Sequence, residues 1–105
     1  MRESKLRELE KFLEQDPSDS FTHYAIALEY AASSDMDGAI EKLKALITLD
    51  PKYVPAYQQL ASYLIKLRQY RNAQDVLEKG IQVAGLAGDR HAQSEMQECL
   101  DELPA

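Results

Sequence analysis

The sequence predicts an all-α fold, a short solenoid of about six helices arranged as antiparallel pairs. Three observations predict it. Asp16-Pro17 and Asp50-Pro51 are the same dipeptide at a spacing of 34 residues, and the stretches after them match position by position. A fixed period of that size holding two helical patterns is the signature of a helix-turn-helix repeat. Apolar residues recur at helical spacing along the chain, and no stretch alternates with period two over the length of a strand. The few glycines and prolines mostly punctuate these stretches: Pro17 and Pro51 lie between them, and Gly85 and Gly88 separate the last two.

The first helix is expected over residues 2–15, where Leu6, Leu9, Phe12 and Leu13 share one stripe and Glu, Lys and Arg fill the other faces. The second is expected over 20–33. It carries Phe21, Tyr24, Ile26, Ala27, Leu28, Tyr30 and Ala31, and is apolar nearly all round, which implies contacts on more than one side. The third, over 36–49, begins after Asp35 as N-cap and has Gly38 in its first turn. It presents Ala39, Ile40, Leu43, Leu46, Ile47 and Leu49. The fourth, over 54–67, has Pro55 in its first turn, where a missing N–H costs nothing, and carries Tyr57, Leu60, Ala61, Leu64 and Ile65. The fifth is expected over 70–84, with Tyr70, Ala73, Val76, Leu77, Gly80, Ile81 and Ala84. The sixth, over 89–103, starts at Asp89 as N-cap and places Ala92, Met96, Cys99, Leu100 and Leu103 on one stripe.

Composition narrows the function. The chain has 105 residues, enough for one domain. A net charge of −6 argues against nucleic acid, which needs a basic footprint. There is no apolar run long enough for a membrane span, and the start of the chain, Met1-Arg2-Glu3-Ser4-Lys5-Leu6, lacks the apolar core of a secretory signal. One cysteine, Cys99, forms no internal disulfide, which suits a reducing compartment, so the expected location is the cytoplasm. The charge is uneven: residues 16–51 and 89–105 are acidic, whereas residues 52–88 carry a net +3. That pattern reads either as ordinary solvated faces or as complementarity with a partner or a second copy.

The repeat resembles the tetratricopeptide repeat family. The residues that carry the resemblance are His23, Ile26-Ala27, Tyr30, Ala39, Leu43 and Pro51 in a first repeat, and Tyr57, Leu60-Ala61, Leu64, Ala73 and Leu77 in a second, with Gly85 where the proline would stand. Small residues, Ala27, Ala39, Ala61 and Ala73, recur where paired helices must approach closely. The chain departs from the family pattern at His23, which replaces a tryptophan, and at Leu43 and Leu77, which replace aromatics. Ser34 and Arg68 stand at turns where the family often has glycine.

The resemblance implies a single domain over residues 1–105. Its parts are an N-terminal half-repeat helix (1–16), a first repeat (17–51), a second repeat (52–85) and a C-terminal capping helix (86–105) that turns Glu95, Glu98, Asp101 and Glu102 to water. A charged helix at each end gives the expectation of a closed small protein.

Tetratricopeptide arrays hold partners along the first helix of each repeat. Carried over position by position, this implies a protein- or peptide-binding groove formed by Phe21, Tyr24, Leu28 and Ala31 in the first repeat, and by Pro55, Gln58, Ser62, Ile65 and Lys66 in the second, with Ala92 or Met96 as additions from the capping helix. Phe21, Tyr24 and Leu28 are spaced i, i+3, i+7 and share a face; apolar stripes of this kind serve as docking sites, and they are also what neighbouring helices cover. The family's carboxylate clamp needs cations where this chain has Tyr24, Leu28 and Gln58, so no chaperone tail is expected. The alternative reading is a self-associating structural protein.

An enzyme is not expected. His23 and His91 have no metal-ligand spacing to each other or to Cys99; His23 reads as packing and His91 as exposed. Cys99 on an apolar stripe reads as inert packing. Neither a phosphate-binding glycine loop nor a nucleophile–base pair is present, and no cofactor or metal is expected.

Overall fold

The computed structural model describes residues 2–104. Six helices follow one another: α1 (Arg2–Gln15), α2 (Ser20–Ala32), α3 (Met36–Leu49), α4 (Val54–Lys66), α5 (Tyr70–Ala87) and α6 (Arg90–Asp101). Among the described residues there is no strand, so the fold is all-α as the periodicity predicts. The helices group into two compact units, Met1–Asp50 and Pro51–Ala105.

In the first unit α2 packs against both α1 and α3. Ala27 and Ala39 are fully buried, which lets the α2 and α3 backbones approach, and Ile26, Ile40, Leu43 and Leu46 close the core around them. A larger side chain at either alanine would spread the pair, at about 1–3 kcal/mol. α2 starts at Asp19, whose carboxylate accepts from Thr22 N at 3.0 Å and from the Thr22 hydroxyl. Asp35 caps α3 through Gly38 N at 2.9 Å. Gly38 is required there: a Cβ would lie 2.5 Å from Asp35 Oδ2 and 2.7 Å from the Tyr30 ring. The Ser20 hydroxyl donates to Asp50 Oδ2 at 2.5 Å and ties the start of α2 to the end of α3.

In the second unit α5 packs against both α4 and α6. The core is Val54, Ala56, Tyr57, Leu60, Ala61, Tyr63 and Leu64 of α4, Ala73, Leu77, Gly80 and Ala84 of α5, and Ala92 and Met96 of α6. Gly80 is where three helices meet. A Cβ on it would lie 2.6 Å from Met96 Sδ and 2.8 Å from Tyr57 Cβ, so its bare backbone forms the notch that receives Met96. Asp89 caps α6 through Ala92 N at 3.1 Å.

The helix-pair turns have one design. Ser34 and Arg68 are both left-handed, at φ 67° and 60°. Asp35 N donates to Tyr30 O and Gln69 N to Leu64 O, each at 2.9 Å, while Ser34 N and Arg68 N close the inner bonds to Ala31 O and Ile65 O. These paired bonds satisfy the last carbonyls of α2 and α4 in the Schellman arrangement. The same arrangement ends α5 at Gly88, φ 74°.

The ends of α5 and α6 are corrected. α5 continues through Gly85 to Ala87, three residues beyond the expected end. Only the residue after the last helical turn must be left-handed, and Gly88 alone fills that place. Gly85 instead makes room for the Gln93 side chain, whose Nε2 would lie 2.7 Å from a Cβ there. α6 keeps the expected cap at Asp89 but closes at Asp101, two residues before the expected end.

Candidate functional site

α2 buries one face through Thr22, Ile26 and Ala27. That orientation sends Phe21 outward, 66% exposed, the largest such exposure on this helix. Tyr24, Leu28 and Ala31 follow on the same side and are half-buried. Burial pushes the Tyr24 phenol above its ordinary range, so it stays neutral and able to donate a hydrogen bond at physiological pH. Of the four expected α2 residues, Phe21 alone is exposed.

The α4 residues share a face of their own unit. Pro55, Gln58, Ser62 and Ile65 are half-buried and Lys66 is exposed. Gln58 Nε2 donates to Glu95 Oε1 of α6 at 3.1 Å, and Glu95 Oε2 lies 3.3 Å from His91 Nε2. Lys66 Nζ stands 5.9 Å from the Tyr63 ring centroid, a cation–π distance.

The additions expected from the capping helix are corrected. Ala92 is 4% exposed and Met96 2%, so both pack inside the second unit and offer nothing to a partner. The notch at Gly80 draws Met96 in. The Gln58–Glu95 bond was not foreseen; its partners are 37 residues apart and no local signal joins them.

The repeats also share a tether that the sequence matched only as a position. His23 Nε2 donates to Pro17 O at 2.7 Å, and Tyr57 Oη donates to Pro51 O at 2.7 Å. Each ring fastens the start of its helix to the proline six residues before. His23 is half-buried rather than fully packed, and its ring makes this bond.

Among the described residues no group of three or more His, Cys, Asp or Glu side chains could hold a metal. Cys99 is half-buried, and burial, with the Glu102 charge second, pushes its thiol up, away from the reactive thiolate. His91 is exposed. Among the described residues no helix is long and apolar enough to cross a membrane.

Paired helices with left-handed turns at Ser34 and Arg68, small residues at each crossing and a ring tether in each repeat define a helical-repeat protein. A tetratricopeptide-repeat family model matches residues 30–94, and the chain belongs to that family. It is 33% identical to a tetratricopeptide repeat domain from Salinibacter ruber solved by NMR, over 81% of this chain and 86% of that one, with a TM-score of 0.77. It is 26% identical to a TPR repeat-containing protein of Pseudomonas aeruginosa, over 90% of each chain. The fold is also that of the TPR2B domain of yeast Sti1, solved as a complex with pHsp70: the TM-score is 0.82 at 19% identity, over 90% of this chain and 76% of that one.

Proposed function

We propose that this chain is a non-catalytic, cytoplasmic protein-binding module. A protein or peptide partner is held on the α2 face by Phe21, Tyr24, Leu28 and Ala31, with a second contact surface on α4 at Gln58, Ser62, Ile65 and Lys66. The observation that carries the reading is Phe21. It is a large apolar side chain held in water at the head of an ordered apolar stripe, on the side of α2 that the Thr22–Ile26–Ala27 packing leaves outward. Exposed apolar patches of this kind are where partners dock, and aromatic side chains dominate binding energy. The Sti1 domain supports a peptide-holding role for the fold. Its type of ligand is not carried over, since the clamp positions here hold Tyr24, Leu28 and Gln58, none of them cationic. An apolar segment with a polar edge fits better, as in the helix-in-groove mode.

The test is capture from a lysate by the wild type beside a Phe21→Glu, Tyr24→Ala variant that retains its helical circular dichroism. A protein held by the wild type and lost by the variant is the expected result; equal capture by both would move the site off this face.

A second reading is self-association. Leu86 is 91% exposed and Phe12 63%, apolar surface that a second copy could cover. Light scattering that reports a monomer up to near-millimolar protein at low salt removes it.

A further inference from the structure

The α4–α5 turn carries the opposite charge from the rest of the molecule. Between Asp50 and Asp75 the chain has 24 residues with four cations, Lys52, Lys66, Arg68 and Arg71, and no carboxylate, in a protein of net charge −6. Three of the four fall within the turn and its flanking helix ends, and all three are exposed. Arg68 leaves from a backbone fixed by the Arg68 N–Ile65 O and Gln69 N–Leu64 O bonds, so its side chain starts from a defined point on the turn. Arg71 stands in the first turn of α5, which has no acidic residue to offset the positive end of the helix. The carboxylates nearest in the chain are Asp75 and Glu78, and Asp101 and Glu102 precede Leu103 of the cleft. The Lys5–Glu29 ion pair and the His91–Glu95 contact engage neither Arg68 nor Arg71.

Of these cations, Arg71 borders a concavity. Tyr70, Arg71, Gln74, Leu103 and Pro104 line a cleft between the start of α5 and the end of the chain, within the second unit. Leu67, on the same turn, is 39% exposed. Guanidinium groups beside a mixed cleft, where Tyr70, Leu103 and Pro104 stand next to the polar Arg71 and Gln74, fit a ligand with carboxylates around an apolar side chain.

We propose that this turn is a second interaction surface, separate from the α2 face, which binds an acidic segment of a partner protein. Arg68 and Arg71 pair its carboxylates, and an apolar side chain of the segment enters the cleft against Tyr70, Leu103 and Pro104. Guanidinium groups suit this task because each presents a planar fork of donors to a carboxylate.

The test uses nitrogen-15 NMR of the full chain titrated with a short blocked peptide of glutamates around one leucine. The expected result is saturable amide shifts confined to residues 66–74 and 103–104. Affinity should fall about five- to tenfold between about 50 and 200 mM salt, since exposed charge pairs are screened. Arg68→Gly with Arg71→Gln should abolish the shifts; glycine suits the left-handed position, so the turn keeps its form. Lys79→Gln, which removes an exposed cation elsewhere on α5, should leave binding unchanged. Four results would overturn the inference: no shifts at millimolar peptide, shifts on the α2 face instead, equal binding of inorganic phosphate, which would mark a plain anion site, or the same shifts on concentrating the protein alone, which would mark a second copy. Because Phe21 and Tyr24 take no part, loss of this surface and loss of the α2 face are separately visible.

Discussion

The two units carry the same helix pair and differ in the third helix that flanks it. α6 buries Ala92 and Met96 against α4 and α5. α1 lies on α2 with Leu6, Leu9 and Leu13 only half-buried and Phe12 exposed, joined by the Lys5–Glu29 ion pair at 3.4 Å. Both helices look alike as sequence: amphipathic, charged on the outer face, with one apolar stripe. The difference lies in what receives the stripe. Gly80 opens a notch on α5 that accepts Met96. The α1 stripe meets no such notch among the described glycines. An apolar stripe predicts that a helix forms and which side faces in; how deeply it seats depends on the shape of the neighbour.

The largest expected effect sharpens this contrast. Met96→Ala empties the notch and should cost about 2–5 kcal/mol by urea denaturation, whereas Phe12→Ala at the exposed end of α1 should change stability by less than about 0.5 kcal/mol. Equal costs would erase the distinction between the two flanking helices. Gly80→Ala comes next, at about 1–3 kcal/mol. The Met96 thioether can swing aside, but Tyr57 Cβ sits too near its own backbone to yield, so the sign is destabilising.

The turns give a smaller and opposite effect. Asp35 caps α3 with its carboxylate, while Gln69 at the matching place makes no capping bond and its side chain accepts from Asn72 instead. Gln69→Asp should raise stability by about 0.5–1 kcal/mol, and Arg68→Gly by a similar amount through relief of the left-handed arginine. The same glycine at Ser34 should match Arg68→Gly, because the two turns share their bonds; a difference between them would show that the repeats are not equivalent here. Thermal melts of the single variants read all three.

The smallest effect is at alkaline pH. Tyr24 and Cys99 both titrate above their ordinary values of 10.0 and 9.0 because burial disfavours their anions. The unfolded chain therefore loses these protons first. The stability they contribute is present below about pH 9 and declines as pH rises past the ordinary values. Cys99→Ser should remove the earlier part of that decline and Tyr24→Phe the later part, read from melting temperatures across the alkaline range.

Much of the fold was legible because helical periodicity, the repeated Asp-Pro and the alanines at each crossing all point the same way. Asp35 and Asp89 were readable as caps because each precedes a clear apolar run. Asp19 was not, since Asp16, Ser18, Asp19 and Ser20 all offer capping oxygens within a few residues. Gly85 read as a break because glycine often ends helices, yet its place is set by Gln93 across the helix pair, a contact no local pattern carries. The α2 stripe was legible as spacing; its exposure was not, because Ile26 and Phe21 are equally apolar and only packing decides which one turns outward. The second-unit residues show the same limit. Ala92 and Met96 have the composition of a docking face and the position of a core.

The central claim is that partners meet the α2 face at Phe21. The most direct measurement places the photo-crosslinking residue p-benzoylphenylalanine at Phe21 in one variant and at Leu86 in another, both exposed positions, and irradiates each in lysate. The account predicts a discrete protein adduct from position 21 and none from position 86. An adduct from position 86 alone, or the same adduct from both, would contradict it.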